Sequence, residues 1–273
     1  MDFSVRFWGV RGSIACSGPR TARYGGNTSS LEVRCDERLL LFDAGTGIRY
    51  LGKALEGQKL DTDLFFTHTH FDHVCGLPFF RPFFASGNRF RLWAGHLHAR
   101  QISLKRVLSE FMMSPLFPVP PEIFHAQIEY RDFKSGDTLR PGAGITLKTA
   151  PLNHPDGATG YRVEYAGKSL CYLTDTEHVP GKPDRNILGL IAGADLVVYD
   201  CMYTDEEYPR YATWGHSTWQ EGVRLCREAG AKRLVVFHHD PEHDDDMLDG
   251  IAREVEKALP GSVVAREGLV LEP

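Results

Sequence analysis

Thr67-His68-Thr69-His70-Phe71-Asp72-His73 packs three imidazoles and a carboxylate into a short run directly after the apolar stretch Asp63-Leu64-Phe65-Phe66. Alternate side chains of an extended segment share a face, so His68 and His70 point the same way, while Asp72 and His73 lie past the bend that ends the segment. Neutral imidazole and carboxylate are ligands that zinc, manganese and iron all accept. The run therefore reads as metal chemistry, with one ion gripped by His68 and His70 and a second faced by Asp72 and His73. The competing reading is a surface histidine cluster at a strand end.

The spacing His-x-His-x-Asp-His resembles the metal-binding signature of the metallo-β-lactamase superfamily. That resemblance implies an α/β (α+β) chain folded as a four-layer αββα sandwich, and three further ligands at the ends of downstream strands. His154 follows the alternating run 145–152, Asp175 follows 169–174, and His238 follows 233–237. A lone His or Asp at a strand end is usually a cap or a turn residue, but here all three stand in the implied order. His239 sits beside His238, and strand parity puts the two rings on opposite sides; the resemblance favours His238. It also makes Asp43, in Asp43-Ala44-Gly45-Thr46-Gly47, a hydrogen-bonding support beneath the metals.

The opening Phe7-Trp8-Gly9-Val10-Arg11-Gly12-Ser13 and the run Tyr24-Gly25-Gly26-Asn27-Thr28-Ser29-Ser30 narrow the resemblance to a subgroup related to tRNase Z and to cyclic-phosphate phosphodiesterases, over nearly the whole chain. Neither the Tyr24–Ser30 stretch nor Asp43-Ala44-Gly45-Thr46-Gly47 has a Walker lysine or dinucleotide spacing, so both glycine-rich stretches read as turns. In Gly215-His216-Ser217-Thr218-Trp219-Gln220-Glu221-Gly222, Thr218 and Glu221 have the offset of a capping box, which leaves His216 unexplained. His216 resembles the histidine that this subgroup places near the scissile phosphate. Asp200, ending Val197-Val198-Tyr199-Asp200, is suited to accept its second ring N–H.

The roles implied are these. His68, His70 and His154 hold one ion; Asp72, His73 and His238 hold the other; Asp175 bridges them. A hydroxide between two divalent ions, most simply Zn2+ with Mn2+ or Fe also compatible, attacks the phosphorus. Asp72 orients it, and His216 protonates the leaving alcohol.

Composition sets the class. At 273 residues and 42% hydrophobic content the chain suffices for a single hydrolase domain spanning 1–273, with no linker or low-complexity segment. The formal net charge of −5 offers no basic stripe for long nucleic acid. No apolar run approaches a membrane span, no signal peptide is visible, and the cysteines at 16, 35, 75, 171, 201 and 226 lack CxxC spacing. A cytoplasmic protein with reduced thiols is expected.

Strands are expected near 3–8, 28–34, 38–43, 62–67, 90–94, 127–131, 144–150, 159–166, 168–174, 195–200, 232–237 and 262–271. Helices fit near 47–56, 74–84, 98–112, 185–192, 217–229 and 244–258. tRNase Z relatives insert a long arm between the third and fourth ligand motifs, whereas here residues 161–168 run straight to the Asp175 strand. The expected substrate is therefore a small or cyclic phosphodiester. Two alternatives stand beside it: an RNA or DNA nuclease, whose positive groove would draw on Arg6, Arg11, Arg20, Arg81 and Lys105, and a thioester or lactone hydrolase, which His216 disfavours. The proline-stiffened loop 111–121 reads either as a flap over a small ligand or as packing against the core or a second subunit of a homodimer. His96 and His98 form another His-x-His pair, read as structural or surface.

Overall fold

The computed structural model describes residues 2–273. The first sheet is built from β1 (Phe3–Gly9), β2 (Ser30–Cys35), β3 (Arg38–Phe42), β4 (Asp61–Phe66), β5 (Arg89–Ala94) and β6 (Gln127–Asp132). The second contains β7 (Thr138–Gly142), β8 (Ile145–Leu152), β9 (Ala158–Tyr165), β10 (Lys168–Leu173), β11 (Leu196–Asp200), β12 (Leu234–Phe237) and β13 (Val263–Val264), paired in the order β13-β12-β11-β10-β9-β8-β7. The last strand, β14 (Val270–Leu271), returns to the first sheet and pairs with β1, giving β14-β1-β2-β3-β4-β5-β6.

The sheets stack face to face because each carries apolar residues on its inner face. Phe7, Phe42, Phe65, Tyr161, Tyr172 and Phe237 meet between them, each essentially inaccessible. The parallel strands β11 and β12 are buried along their whole length, as the unbroken apolar runs Leu196-Val197-Val198-Tyr199 and Leu234-Val235-Val236-Phe237 require when both faces are covered. Outside the first sheet pack α1 (Ile48–Ala54), the single turn α2 (Phe71–Val74) and α3 (Leu104–Phe111). Outside the second lie α4 (Arg185–Ile191), α6 (Trp219–Ala229) and α7 (Asp245–Ala258), with the short α5 (Tyr208–Tyr211) between α4 and α6 in the chain. Helix, sheet, sheet, helix is the four-layer αββα sandwich.

Several expected boundaries move for local reasons. The helix expected over 74–84 becomes α2 followed by two 3-10 turns, Leu77–Phe79 and Arg81–Phe84, each with a proline in its first positions. The helix expected over 98–112 begins only after Ser103, whose side chain accepts from the Arg106 N–H, while His96–Arg100 is a separate 3-10 turn. The strand expected over 262–271 splits into β13 and β14 on different sheets. Strand β7 and helix α5 lie outside the expected elements. The hairpin from β9 to β10 turns through Ala166 and Gly167, both at positive φ (50° and 76°), the tight two-residue geometry that matches strand twist. Among the described residues all six cysteines are unpaired, and no helix is long and apolar enough to cross a membrane.

Candidate metal centre

Strand ends from both sheets converge on one edge. Asp43 follows β3, His68 follows β4, His154 follows β8, Asp175 follows β10, Asp200 ends β11 and His238 follows β12. Crevices beyond the carboxyl ends of strands are where α/β sheets bind ligands, since loops diverge there and backbone groups are unpaired. Asp43, Asp175 and His238 adopt left-handed backbone (φ 57°, 61° and 61°), turning the chain sharply so that each side chain faces the crevice.

Two donor clusters meet there. His68, His70 and His154 form one, and Asp72, His73, Asp175 and His238 form the other, each with its ligand atoms within 4.8 Å of one another. Asp175 faces both. Its Oδ1 lies 3.7 Å from His68 Nε2 and 3.6 Å from His154 Nε2, while its Oδ2 lies 3.1 Å from His73 Nε2 and 3.2 Å from His238 Nε2. Asp72 Oδ2 is 3.2 Å from His73 Nε2 and 3.3 Å from His238 Nε2, and also accepts the Ser13 N–H at 2.8 Å.

The hydrogen bonds behind the rings assign their tautomers. His73 Nδ1 donates to Asp43 Oδ2 at 2.9 Å, and His154 Nδ1 donates to the Gly215 carbonyl at 2.8 Å. The Thr67 hydroxyl donates to Asp43 at 2.9 Å and so accepts from His68 Nδ1 at 3.1 Å. Each ring is left with an Nε2 lone pair directed into the crevice. His68 Nε2 is buried with no hydrogen-bond partner, and His154 Nε2 approaches His70 Nδ1 to 3.1 Å. A tetrahedral ion with bonds of about 2.1 Å sets donors roughly 3.4 Å apart, so the residues present fit divalent cations at both clusters.

Burial opposes charge on His73, but Asp72, Asp175 and Asp43 outweigh it and, with no cation at the cluster, hold its pKa well above the ordinary value, so a bound cation would take the place of the Nε2 proton. Burial likewise opposes ionisation of Asp175, yet His238, His73 and His68 hold it well below the usual carboxylate range. His216 stands at the edge of the group. Its Nδ1 donates to Asp200 Oδ2 at 2.9 Å, and the same atom lies 3.9 Å from Asp175 Oδ1. Burial lowers its pKa, but the Asp200 charge and hydrogen bond prevail and raise it to about 9.

His239 points away: its Nε2 donates to the Ala265 carbonyl at 2.8 Å, and burial pushes its pKa down to about 3. Burial also lowers the pKa of His96 to about 3; its Nε2 meets the Thr69 hydroxyl at 3.1 Å, behind the His-x-His strand end, while His98 is exposed. The cations considered for a nucleic-acid groove are mostly committed elsewhere. Arg11 is wholly buried and donates to the carbonyls of Gly25, Asp240 and His243, so it is a structural clasp. Arg81 pairs with Glu56, Arg20 with Asp244, and Arg6 stacks on Trp8; Lys105 is exposed.

Sequence reasoning missed Glu177. Its carboxylate accepts the N–H groups of Thr213 at 2.7 Å and Gly215 at 2.8 Å, tying the loop that carries His216 to the Asp175 strand end. A Cβ at Gly215 would sit 2.5 Å from His154 Nδ1, so the close approach of this loop to His154 depends on glycine there. The contacts of Glu177 span more than thirty residues, and no local motif signals them.

A model of the β-lactamase superfamily domain matches residues 38–239. The chain belongs to the metallo-β-lactamase superfamily. It is a metal-dependent hydrolase. Among curated relatives it is 27% identical to a ribonuclease Z of Myxococcus xanthus, over 90% of this chain and 92% of that one. The metallo-β-lactamase fold protein YhfI of Bacillus subtilis superposes with a TM-score of 0.76 at 20% identity, covering 99% of both chains. A diphosphatase of the PhnP family superposes with a TM-score of 0.72 at 23% identity, over 100% of this chain and 98% of that chain.

Proposed function

We propose that residues 1–273 form one hydrolase domain that holds two divalent cations and cleaves small or cyclic phosphodiesters. The observation that carries this reading is the position of Asp175 between the two donor clusters, with the His216–Asp200 pair beside it. In this reading His68, His70 and His154 hold one cation, Asp72, His73 and His238 the other, and Asp175 both. The donor set suits Zn2+ and also accepts Mn2+ or Fe. Two such cations supply positive charge for the phosphoryl oxygens of an in-line displacement and make water a better nucleophile at neutral pH.

The protein's own groups do the rest. Asp43 fixes the His73 ring in the tautomer whose Nε2 faces inward, while Thr67 does the same for His68. Asp72, steadied by the Ser13 N–H, has carboxylate oxygen available to orient the attacking water. Asp200 keeps a proton on His216 Nδ1 and so aligns the ring, leaving Nε2 to deliver a proton to the departing alcohol. A thioester hydrolase, whose thiolate departs readily without a proton, has less use for that acid.

The tight β9–β10 turn and the internally paired arginines favour a small diester over long RNA. The ribonuclease Z name of the relatives favours the second reading, cleavage at RNA ends. A panel of bis(p-nitrophenyl) phosphate, p-nitrophenyl phosphate, 2′,3′- and 3′,5′-cyclic nucleotides, single-stranded RNA and DNA, a thioester and a lactone separates these. Diester cleavage above monoester cleavage is expected. Faster turnover of RNA than of every small diester would select the second reading, and thioester or lactone turnover far above diester turnover would overturn both.

A further inference from the structure

We propose that Trp214, backed by Tyr211 and Tyr203, is a stacking platform for a nucleobase carried by the substrate, so that the diester accepted here is a nucleotide. The inference rests on the phosphodiesterase reading above and names its substrate class. Trp214 is 62% exposed and lies two residues before His216. An indole so exposed gains little from packing, yet the backbone around it is held with unusual care.

Thr213 adopts φ 79°, a conformation that costs a non-glycine residue on the order of 1–3 kcal/mol. Glu177 accepts the N–H groups on both sides of Trp214, from Thr213 and Gly215, and the Trp214 N–H itself donates to the Tyr211 carbonyl at 3.0 Å. The Gly215 carbonyl receives His154 Nδ1, which ties the same loop to the donor cluster. A strained, clamped loop that leaves its largest side chain in solvent stabilises a binding surface better than it stabilises the fold.

The rings behind the indole run back to the candidate acid. Trp214 meets Tyr211 edge-on at 5.4 Å, Tyr211 stacks on Tyr203 at 4.5 Å and 9°, and Tyr203 stands 6.2 Å from His216. Among the described residues neither tyrosine hydroxyl has a hydrogen-bond partner; Tyr203 is buried, so of the two it is the half-buried Tyr211 that stands nearer a ligand on this surface. A base stacked on this surface would hold its phosphate within reach of His216. Stacking is tolerant of base identity because every base has a π face, so broad preference with purines ahead is expected.

The test uses metal-loaded protein and two probes that differ only by the base, adenosine 5′-monophosphate and ribose 5-phosphate, with dissociation constants read by calorimetry so that turnover is not needed. Wild type is expected to bind the nucleotide at least roughly ten-fold more tightly. Trp214→Ala should remove that advantage and leave ribose 5-phosphate unchanged, while Trp214→Phe should keep most of it. Equal affinity of wild type for the two probes, or binding of neither, overturns the platform but spares the phosphodiesterase reading, which stands or falls with diester turnover in the panel above. Equal weakening of both probes in Trp214→Ala reassigns the residue to holding the loop. A change of oligomeric state on size exclusion with nucleotide affinity intact assigns the indole to a subunit interface instead.

Discussion

Replacing Asp43 by Asn removes one charge and changes no volume, which isolates what that carboxylate does beneath the candidate centre. Asp43 is fully buried and receives four donors: the Thr67 N–H and hydroxyl, His73 Nδ1 and the Tyr172 hydroxyl, at 2.8–2.9 Å at closest. A carboxylate accepts all four, but an amide offers one oxygen and turns an NH2 group toward the remaining donors. Hydrogen bonds to a charged acceptor contribute about 1.5–3 kcal/mol each, and part of that is lost wherever donor faces donor. At about 2–4 °C per kcal/mol for a chain near this size, Tm should fall by roughly 3–10 °C.

The more diagnostic effect is on His73. With an NH2 group against Nδ1, the ring is driven to the other tautomer, whose Nε2–H points at Asp72 and Asp175 and blocks a cation. Removing such a support typically costs about 10–100-fold in metal affinity. Chelator competition should therefore show one of the two cations weakened by that factor in Asp43→Asn, with the cation at His68, His70 and His154 less affected. A variant that loses stability yet binds both cations with wild-type affinity would refute the tautomer argument and leave Asp43 a purely structural residue.

Two further expectations concern the same centre. His216→Ala should keep both cations and the fold but lose about 10²–10⁴-fold in rate on a diester with an alkoxide leaving group, and much less with p-nitrophenolate, which departs without a proton; equal losses on the two reassign His216 to substrate positioning. His238→Ala should lose metal by elemental analysis, whereas His239→Ala should keep it and lose only stability through the Ala265 bond; the reverse pattern would show the ligand register to be off by one residue.

Much of this centre is legible in the sequence because its parts sit at strand ends, where a run of alternating or apolar residues stops at a His or Asp. Parity separates His238 from His239 in the sequence, and the two rings do face different partners, although both residues lie past β12 and the left-handed turn at His238 (φ 61°) sets their directions. The Asp200–His216 contact is foreseeable for the same reason, since Asp200 ends β11 and His216 lies on the loop leading into the adjacent helix α6. What escapes is contact between loops. Arg11 looks like a free cation in sequence, and only the fold brings the carbonyls of Asp240 and His243 around it. Glu177 is another case, because its partners lie on the far side of α4 and β11. Proline, by contrast, acts locally: Pro78 and Pro82 break the helical periodicity after His73 into 3-10 turns.

The backbone at the centre carries its own argument for function. Asp43, Asp175 and His238 all hold φ near 60°, each a non-glycine residue at the end of a buried strand. Glycine would relieve the strain at any of the three, so the side chains account for their presence. At Asp43 four hydrogen bonds offset the cost. At His238 nothing comparable does, since Nδ1 is buried without a partner and Nε2 meets only Asp72, Asp175 and His73. The local balance there is unfavourable unless the inward-facing donors gain something further. A bound divalent cation provides that gain, because ligand binding to a folded site adds directly to folding stability. Three of the nine non-glycine residues at positive φ among the described residues thus stand at the donor clusters, Asp175 and His238 as candidate ligands and Asp43 behind His73, which is the pattern expected of a centre shaped for binding rather than for packing.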